Sequence, residues 1–264
     1  MWLTCFYLTL VVNTINIPFD NGANILGSKN SPKILEPYLK FLNIDEKVNI
    51  NTNNFVSNVL EDGYQAVFRT MKNGRFPLTI GGDHTVAISS VFAVNEFCNL
   101  CNKSLGILWC DAHADFNTMV TSPTKNIHGM PVAVLCGHTL PTLRMSDLLM
   151  PEQFSYYGVR DVDSLEFLRM QEHDMKIIYD NKDIDEWLER FDYVHVSFDI
   201  DCLDPSVTNC VNTPVNNGAS SEEMKNLFTK VKKSDKLCSM DIVEYNSGNN
   251  NDHTEIIEII KSIF

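Results

Sequence analysis

The feature that most limits what this chain can become is the stretch Asp111-Ala112-His113-Ala114-Asp115-Phe116-Asn117, set directly behind the apolar run Leu105 to Cys110. The length and bulk of that run read as a buried parallel strand, so three ligand-type side chains emerge at its C-terminal end. In extended backbone alternate residues share a face, which predicts one cavity for Asp111, His113 and Asp115. The same arrangement recurs at Ser197-Phe198-Asp199-Ile200-Asp201-Cys202-Leu203-Asp204-Pro205 and, after Pro77 to Ile80, at Gly81-Gly82-Asp83-His84-Thr85. One Asp-x-Asp behind a strand is ordinarily a turn former. Three converging ends are different, because four carboxylates at one sheet edge repel each other unless cations sit among them. His84, His113, Asp111, Asp115, Asp199 and Asp201 form a hard, oxygen-rich donor set that suits Mn²⁺ or Fe²⁺ better than the thiolate sets of structural zinc. Six side chains are too few for two separate shells, so bridging carboxylates and a bridging water are expected.

The rest of the chain alternates strands with helices. A first buried strand is expected within Trp2 to Val12. A helix starts at Ser31-Pro32 and runs through Ile34 to Leu42. A short strand follows at Lys47 to Ile50, and Val56, Val59, Leu60, Tyr64, Val67 and Met71 recur at helical spacing. Thr85 to Cys101 reads as a helix, as does Pro131 to Cys136. Strands are expected at Phe154 to Val159, Met175 to Tyr179, Tyr193 to Phe198 and Cys238 to Val243, with a helix near Ile184 to Arg190. Ser220 and Glu223 form a capping box for a helix, and Asp252 with Glu255 caps a last one. This order implies a three-layer α/β/α fold with a mainly parallel sheet. Ligands in such sheets gather at the strands' carboxyl ends, where these motifs lie.

A single domain over residues 1–264 suffices for a chain of 264 residues with 44% hydrophobic content. The net charge of −13 argues against nucleic acid and is compatible with a cationic substrate. Eight scattered cysteines, several in apolar runs, suggest a reduced, cytoplasmic setting. Cys98-Asn99-Leu100-Cys101 lacks a second pair and is read as structural. Trp2 to Val12 is too short to span a bilayer and has no basic flank, so no membrane association is expected. There is no repeat or linker, and the lone His138, His173, His195 and His253 read as structural or surface residues.

Together, Gly-Gly-Asp-His-Thr at 81–85, Asp-Ala-His-Ala-Asp at 111–115, His128-Gly129-Met130-Pro131 and Ser-Phe-Asp-Ile-Asp-Cys-Leu-Asp-Pro at 197–205 resemble, in order, the signature blocks of the ureohydrolase family, which includes arginase and agmatinase. The resemblance implies an arginase-like fold and two Mn²⁺ ions per subunit. By similarity, His84, Asp111, Asp115 and Asp199 would hold one ion, and Asp111, His113, Asp199 and Asp201 the other. A hydroxide between the ions would attack the guanidinium carbon of a linear amidine. Asp115 would pass a proton to the leaving amine, His128 would exchange protons with solvent, and Glu244 would bind the guanidinium. A homo-oligomer, trimer or hexamer, is implied as well.

Within the family, the loop from Asn117 to His128 favours arginase. Asn117, Ser122 and Thr124 match positions that hold the α-carboxylate of L-arginine, Asp163 and Glu166 match those that recognise its α-amino group, and Thr213 belongs to the same substrate set. Agmatine lacks that carboxylate, and a site built to hydrogen-bond a group discriminates against analogues without it. Four departures stand out. Cys202 and Asn212 replace glycines, adding volume near metal or substrate, and Pro123 and Lys125 occupy places usually held by Thr and Gly. The expected activity is hydrolysis of L-arginine to ornithine and urea. The alternatives are agmatinase, another guanidino-acid hydrolase, or a non-catalytic arginase-like binding protein.

Overall fold

Each strand of the central sheet but the last is followed by chain that crosses a sheet face and returns, so neighbouring strands run the same way. The computed structural model describes residues 10–138, 148–178, 183–248 and 253–264. In chain order the elements are β1 (Val11–Ile17), α1 (Ser31–Leu35), β2 (Asn43–Asn49), α2 (Val56–Lys72), β3 (Phe76–Gly81), α3 (Ala87–Leu100), β4 (Leu105–Cys110) and α4 (Pro131–Leu135). They continue with β5 (Phe154–Tyr157), α5 (Ser164–Glu172), β6 (Lys176–Ile178), α6 (Asp183–Glu189), β7 (Tyr193–Asp199), α7 (Ser221–Lys233), β8 (Leu237–Val243) and α8 (Thr254–Lys261). The sheet order is β2-β1-β3-β8-β7-β4-β5-β6, and every pairing is parallel.

Two apolar layers flank this sheet. One packs Leu35, Trp187, Leu227, Phe228 and Ile260 against Leu108, Cys110, Val196 and Phe198. The other packs Val59, Val67, Val91, Val132 and Met170 against Ile107, Trp109 and Phe154. Helices α1, α6, α7 and α8 thus cover one face, and α2 to α5 the other, which gives the three layers. Strands β3 and β4 are buried at every residue, as their apolar runs, broken only by Thr79, require. Each large apolar side chain so buried stabilises the fold by about 1.5–3 kcal/mol. The second face is polar along the central strands. His195 is fully buried, with Nδ1 2.7 Å from Ser239 Oγ and Nε2 3.0 Å from Asp241 Oδ2. Ser90 on α3 also donates to Asp241, at 2.7 Å.

Several boundaries differ from the sequence reading. The first described strand is Val11–Ile17 rather than Trp2 to Val12, most of which lies outside the described residues. Helix α1 stops at Leu35, and Glu36–Tyr38 turns as a 3₁₀ segment, because Pro37 has no N–H to bond Lys33. The edge strand β2 starts earlier than Lys47 and is mostly exposed. His84–Val86 forms a 3₁₀ turn ahead of α3. Helix α7 has the expected capping box, with Glu223 N donating to Ser220 Oγ and Ser220 N to Glu223 Oε2. Asp252 and Tyr179 lie outside the described residues, and His253 stands at the start of α8. Among the described residues no helix is long and apolar enough to cross a membrane.

Candidate active site

Three central strands, β3, β7 and β4, each have at or just beyond their C-terminal end an aspartate whose side chain folds back onto the chain two residues on. Thr85 N donates to Asp83 Oδ1 at 3.0 Å, His113 N to Asp111 Oδ1 at 2.7 Å, and Asp201 N to Asp199 Oδ1 at 2.8 Å. The turn-forming role expected of a lone aspartate is therefore real, and it is what aims the neighbouring ligand-type groups inward. The strand-like alternation predicted for Asp111 to Asp115 is not how these residues converge. The segment is irregular, and Asp115 has φ 51°, a left-handed conformation that Asp tolerates better than most residues.

The resulting cluster is buried and tightly spaced. His84 Nδ1 lies 2.9 Å from Asp111 Oδ2, 3.1 Å from Asp115 Oδ2 and 3.1 Å from Asp199 Oδ2. His113 Nδ1 lies 3.4 Å from Asp111 Oδ1 and 3.2 Å from Asp201 Oδ2. His84, Asp111 and Asp199 form one group able to share an ion, and Asp111, His113 and Asp201 another. The first group passes a direct test of fit. Neither His84 Nδ1 nor Asp115 Oδ2 has a hydrogen-bond partner, although both are buried, so the short contacts around Nδ1 are not aligned as hydrogen bonds. Two donors at about 2.1 Å from one octahedral cation stand about 3.0 Å apart, which is the spacing found. Further contacts fix the rings and carboxylates. His84 Nε2 is 2.9 Å from Ser197 Oγ, its ring stacks on Trp109 at 4.2 Å, and the Trp109 indole N–H donates to Asp111 Oδ2 at 3.0 Å.

The ionisation pattern shows the same crowding. Burial and the adjacent Asp201 and Asp111 hold Asp199 well above the ordinary carboxylate range. Burial and Asp111 push Asp115 up to about 6. Burial opposes charge on Asp111, but contacts with His113 and His84 win and hold its carboxyl below that range. Burial likewise opposes charge on His84 and His113, yet the surrounding carboxylates raise both imidazoles. Buried carboxylates this close together call for positive charge beside them, which the donor set would take as cations.

Beside this floor, Glu244 leaves β8 in a left-handed conformation, φ 57°, and is buried. Its Oε1 accepts from His84 N at 2.9 Å and lies 3.0 Å from His128 Nδ1. Its Oε2 is buried without a partner. Burial pulls the His128 imidazole down, and Glu244 more than reverses this, raising its pKa. Asp83 is pushed up to about 7 by burial and by Glu244.

One cavity of about 340 Å³ joins these groups to the loop behind Asp115. His84, His113, Asp115, Asn117, Ser122, Thr124, His128, Asp163, Glu166, Asp199, Asp201, Thr213 and Glu244 all line it. Asp111 lies beneath. Of the expected substrate residues, Asn117 donates Nδ2–H to Asp163 Oδ2 at 2.9 Å. Glu166 has both oxygens committed, to Phe116 N at 2.8 Å and Asp163 N at 3.3 Å, and burial and Asp115 raise it to about 7. Thr213 donates to Asp201 Oδ2 at 2.9 Å. Ser122 Oγ and Thr124 Oγ1 each accept a backbone N–H, from Lys125 at 3.0 Å and Asn126 at 3.3 Å. Sequence reasoning missed Asn24, Asn126 and Asp161 on the cavity wall, which carry no local motif, and also Trp109, whose place two residues before Asp111 was the available signal.

The departures from the family pattern separate. Cys202 does not crowd the cavity. Its Sγ turns to Tyr157 O at 3.4 Å and Met224 Sδ at 4.0 Å, in the core, where Gly158 leaves room for it. Lys125 reaches back to Val120 O at 3.4 Å and is not on the cavity wall. Asn212 is on it, donating to Ile25 O at 3.1 Å and accepting from Asn246 Nδ2 at 2.7 Å.

Comparison with known proteins agrees with this architecture. The model of the Arginase family matches residues 16–261. An arginase of Staphylococcus aureus (strain COL) is 31% identical over 262 residues, covering 92% of this chain and 80% of that protein. An arginase of Entamoeba histolytica is 30% identical over 289 residues, covering 96% and 97%. The solved structure of the Entamoeba histolytica arginase in complex with L-ornithine aligns with a TM-score of 0.86 at 28% identity, covering 97% of this chain and 98% of that one.

Proposed function

This chain belongs to the arginase family, and on that footing we propose that it hydrolyses L-arginine to L-ornithine and urea. The observation that carries this reading is the shared cavity. A cation-seeking His/Asp floor and Glu244, whose Oε2 has no partner, line the same space. His84, Asp111, Asp115 and Asp199 would hold one ion, and Asp111, His113, Asp199 and Asp201 the other. When bound, a pair of divalent cations, Mn²⁺ by the hardness of the donor set, supplies the Lewis acidity that brings a water's pKa from about 15.7 toward about 7.

The chain's own groups supply the rest. Glu244 binds the planar guanidinium through its free oxygen while its other oxygen stays fixed by His84 N and His128. Asp115, with its Oδ2 turned to the ion, would carry a proton to the leaving amine on its other oxygen, Oδ1. His128 sits between Glu244 and solvent, its side chain 22% exposed, and exchanges that proton with water. At the mouth, Ser122 and Thr124, whose hydroxyls lie 3.4 Å apart and bond each other, keep one hydroxyl hydrogen between them for an α-carboxylate. Asp163 takes the α-ammonium, and Glu166 acts by holding Asp163 and Phe116 in place. A reduced cytoplasmic setting is proposed from the scattered cysteines, several of them in apolar runs, and a homo-oligomer from the family alone.

The test is urea release by the purified chain with Mn²⁺, offered L-arginine and agmatine in parallel, with Asp115→Asn as control. Urea from arginine alone, lost in the control, is expected. Urea from agmatine alone would overturn the substrate while keeping the floor, and no urea from either would overturn the activity.

A further inference from the structure

Arg160 follows β5 and sits where three loops of the sheet's carboxyl edge meet. Its Nη1 donates to Gly158 O at 2.7 Å and Cys202 O at 3.3 Å. Its Nη2 donates to Asp201 O at 2.8 Å, Val215 O at 2.8 Å and Leu203 O at 3.4 Å, and its Nε to Asn216 O at 3.1 Å. All six acceptors are main-chain carbonyls. A guanidinium usually seeks a carboxylate fork. Here the cation is spent on backbone, beside carboxylates that it does not touch. Its main chain grips the other metal loop, with Arg160 N donating to Ala112 O at 2.8 Å and Asp161 N to the same oxygen at 3.0 Å.

Ala112 lies between Asp111 and His113, and Asp201 contributes both the gripped carbonyl and a ligand carboxylate. That carboxylate accepts from Ala112 N at 3.1 Å and faces His113 Nδ1 at 3.2 Å. One residue thus spans both loops that make the Asp111, His113 and Asp201 group, and it touches nothing in the His84 group except through them. Gly218 leaves the space the guanidinium uses, since a Cβ there would come within 2.6 Å of Nη2.

We propose that Arg160 is a positioning residue for the second cation: by fixing the carbonyls of Asp201, Cys202 and Leu203 against the Ala112 loop, it sets the spacing of His113 and Asp201 and hence that pocket's affinity. The inference rests on the metal reading given above. Residues that orient metal ligands typically change affinity by about 10–100-fold.

The experiment is Mn²⁺ titration of the full chain, followed by dialysis and metal counting, for wild type, Arg160→Met and Arg160→Lys. Thermal melts of the metal-free proteins run alongside. The expected result is two ions in wild type, one retained ion in Arg160→Met with the second bound about 10–100-fold more weakly, and an intermediate value in Arg160→Lys. That variant keeps the charge and three donors but not the fork. Two ions at wild-type affinity in both variants overturns the proposal. So does equal loss of both ions together with a lowered metal-free melt, which is what a merely structural arginine would give. Should Arg160→Met fail to fold, Arg160→Lys decides, because a second ion held at wild-type affinity sinks the idea. Wild type that binds two ions but releases no urea overturns the activity and leaves this inference standing, and wild type that takes up no Mn²⁺ overturns both.

Discussion

The floor of the cavity and its mouth are built on opposite plans. On the floor, ligand-type carboxylates are buried and each strand-end aspartate is pinned by a backbone N–H two residues on, so orientation is set by the chain's path. At the mouth, residues 117–126 are held mainly by their own side chains. Thr118 and Thr121 bond each other, Ser122 and Thr124 hold the following amides, and Asn117 reaches across to Asp163. Met119 and Val120 stand exposed there. The lesson is that the floor's geometry resides in the backbone, which tolerates little change, and the mouth's in side chains exchangeable one at a time; on the reading proposed above, the first would fix the chemistry and the second the substrate.

If that contrast is right, damage to the floor is collective. Asp111→Ala removes a residue common to both ion-binding groups, so both ions should be lost and urea release should fall by at least ~10³-fold, since metal assistance is worth several kcal/mol. Retention of one ion with near-normal turnover would break the idea of a single unit. Glu244→Gln comes next: it keeps an acceptor for His84 N but removes the charge, and kcat/KM should drop about 100-fold for every guanidino substrate at unchanged metal content. Asp163→Ala tests the mouth alone. The KM for L-arginine should rise about tenfold while that for 5-guanidinopentanoate, which lacks the ammonium, is unaffected, and an equal effect on both would mean that mouth and floor are not separable. The smallest effect belongs to Lys125→Gly. Lys125 is held at φ 64°, so relieving it should stabilise the chain by up to about 1 kcal/mol and raise the melting temperature by a few degrees. A lowered melt would show that the bond to Val120 O matters more than the strain.

The same contrast explains what could be read beforehand. Three apolar runs, two ending in Asp and His and one in paired Asp, were legible because strand burial and ligand chemistry both leave composition signals. The sheet and its layers followed from the alternation of periods. Asp115 and Glu244 were recognisable as residues but not in posture, since a left-handed φ at a non-glycine position has no sequence signature. The direction of Cys202 was also illegible. Whether an added side chain points to a cavity or to Met224 depends on packing between elements far apart in the chain. At the mouth, Lys125 and Asn212 looked alike as departures, yet one turns away and the other joins the wall. The role of Arg160 is invisible in sequence because its partners are carbonyls, which every residue carries.

Trp109 gives the molecule an optical reporter at its own centre. Its indole donates to Asp111 and lies flat on His84, whereas Trp187 is buried in the layer on the other face of the sheet. Emission from Trp109 should therefore change when a paramagnetic ion settles against that pair, over a background from Trp187 and from Trp2, which lies outside the described residues. Filling of the floor can then be followed in real time by intrinsic fluorescence, without substrate or label.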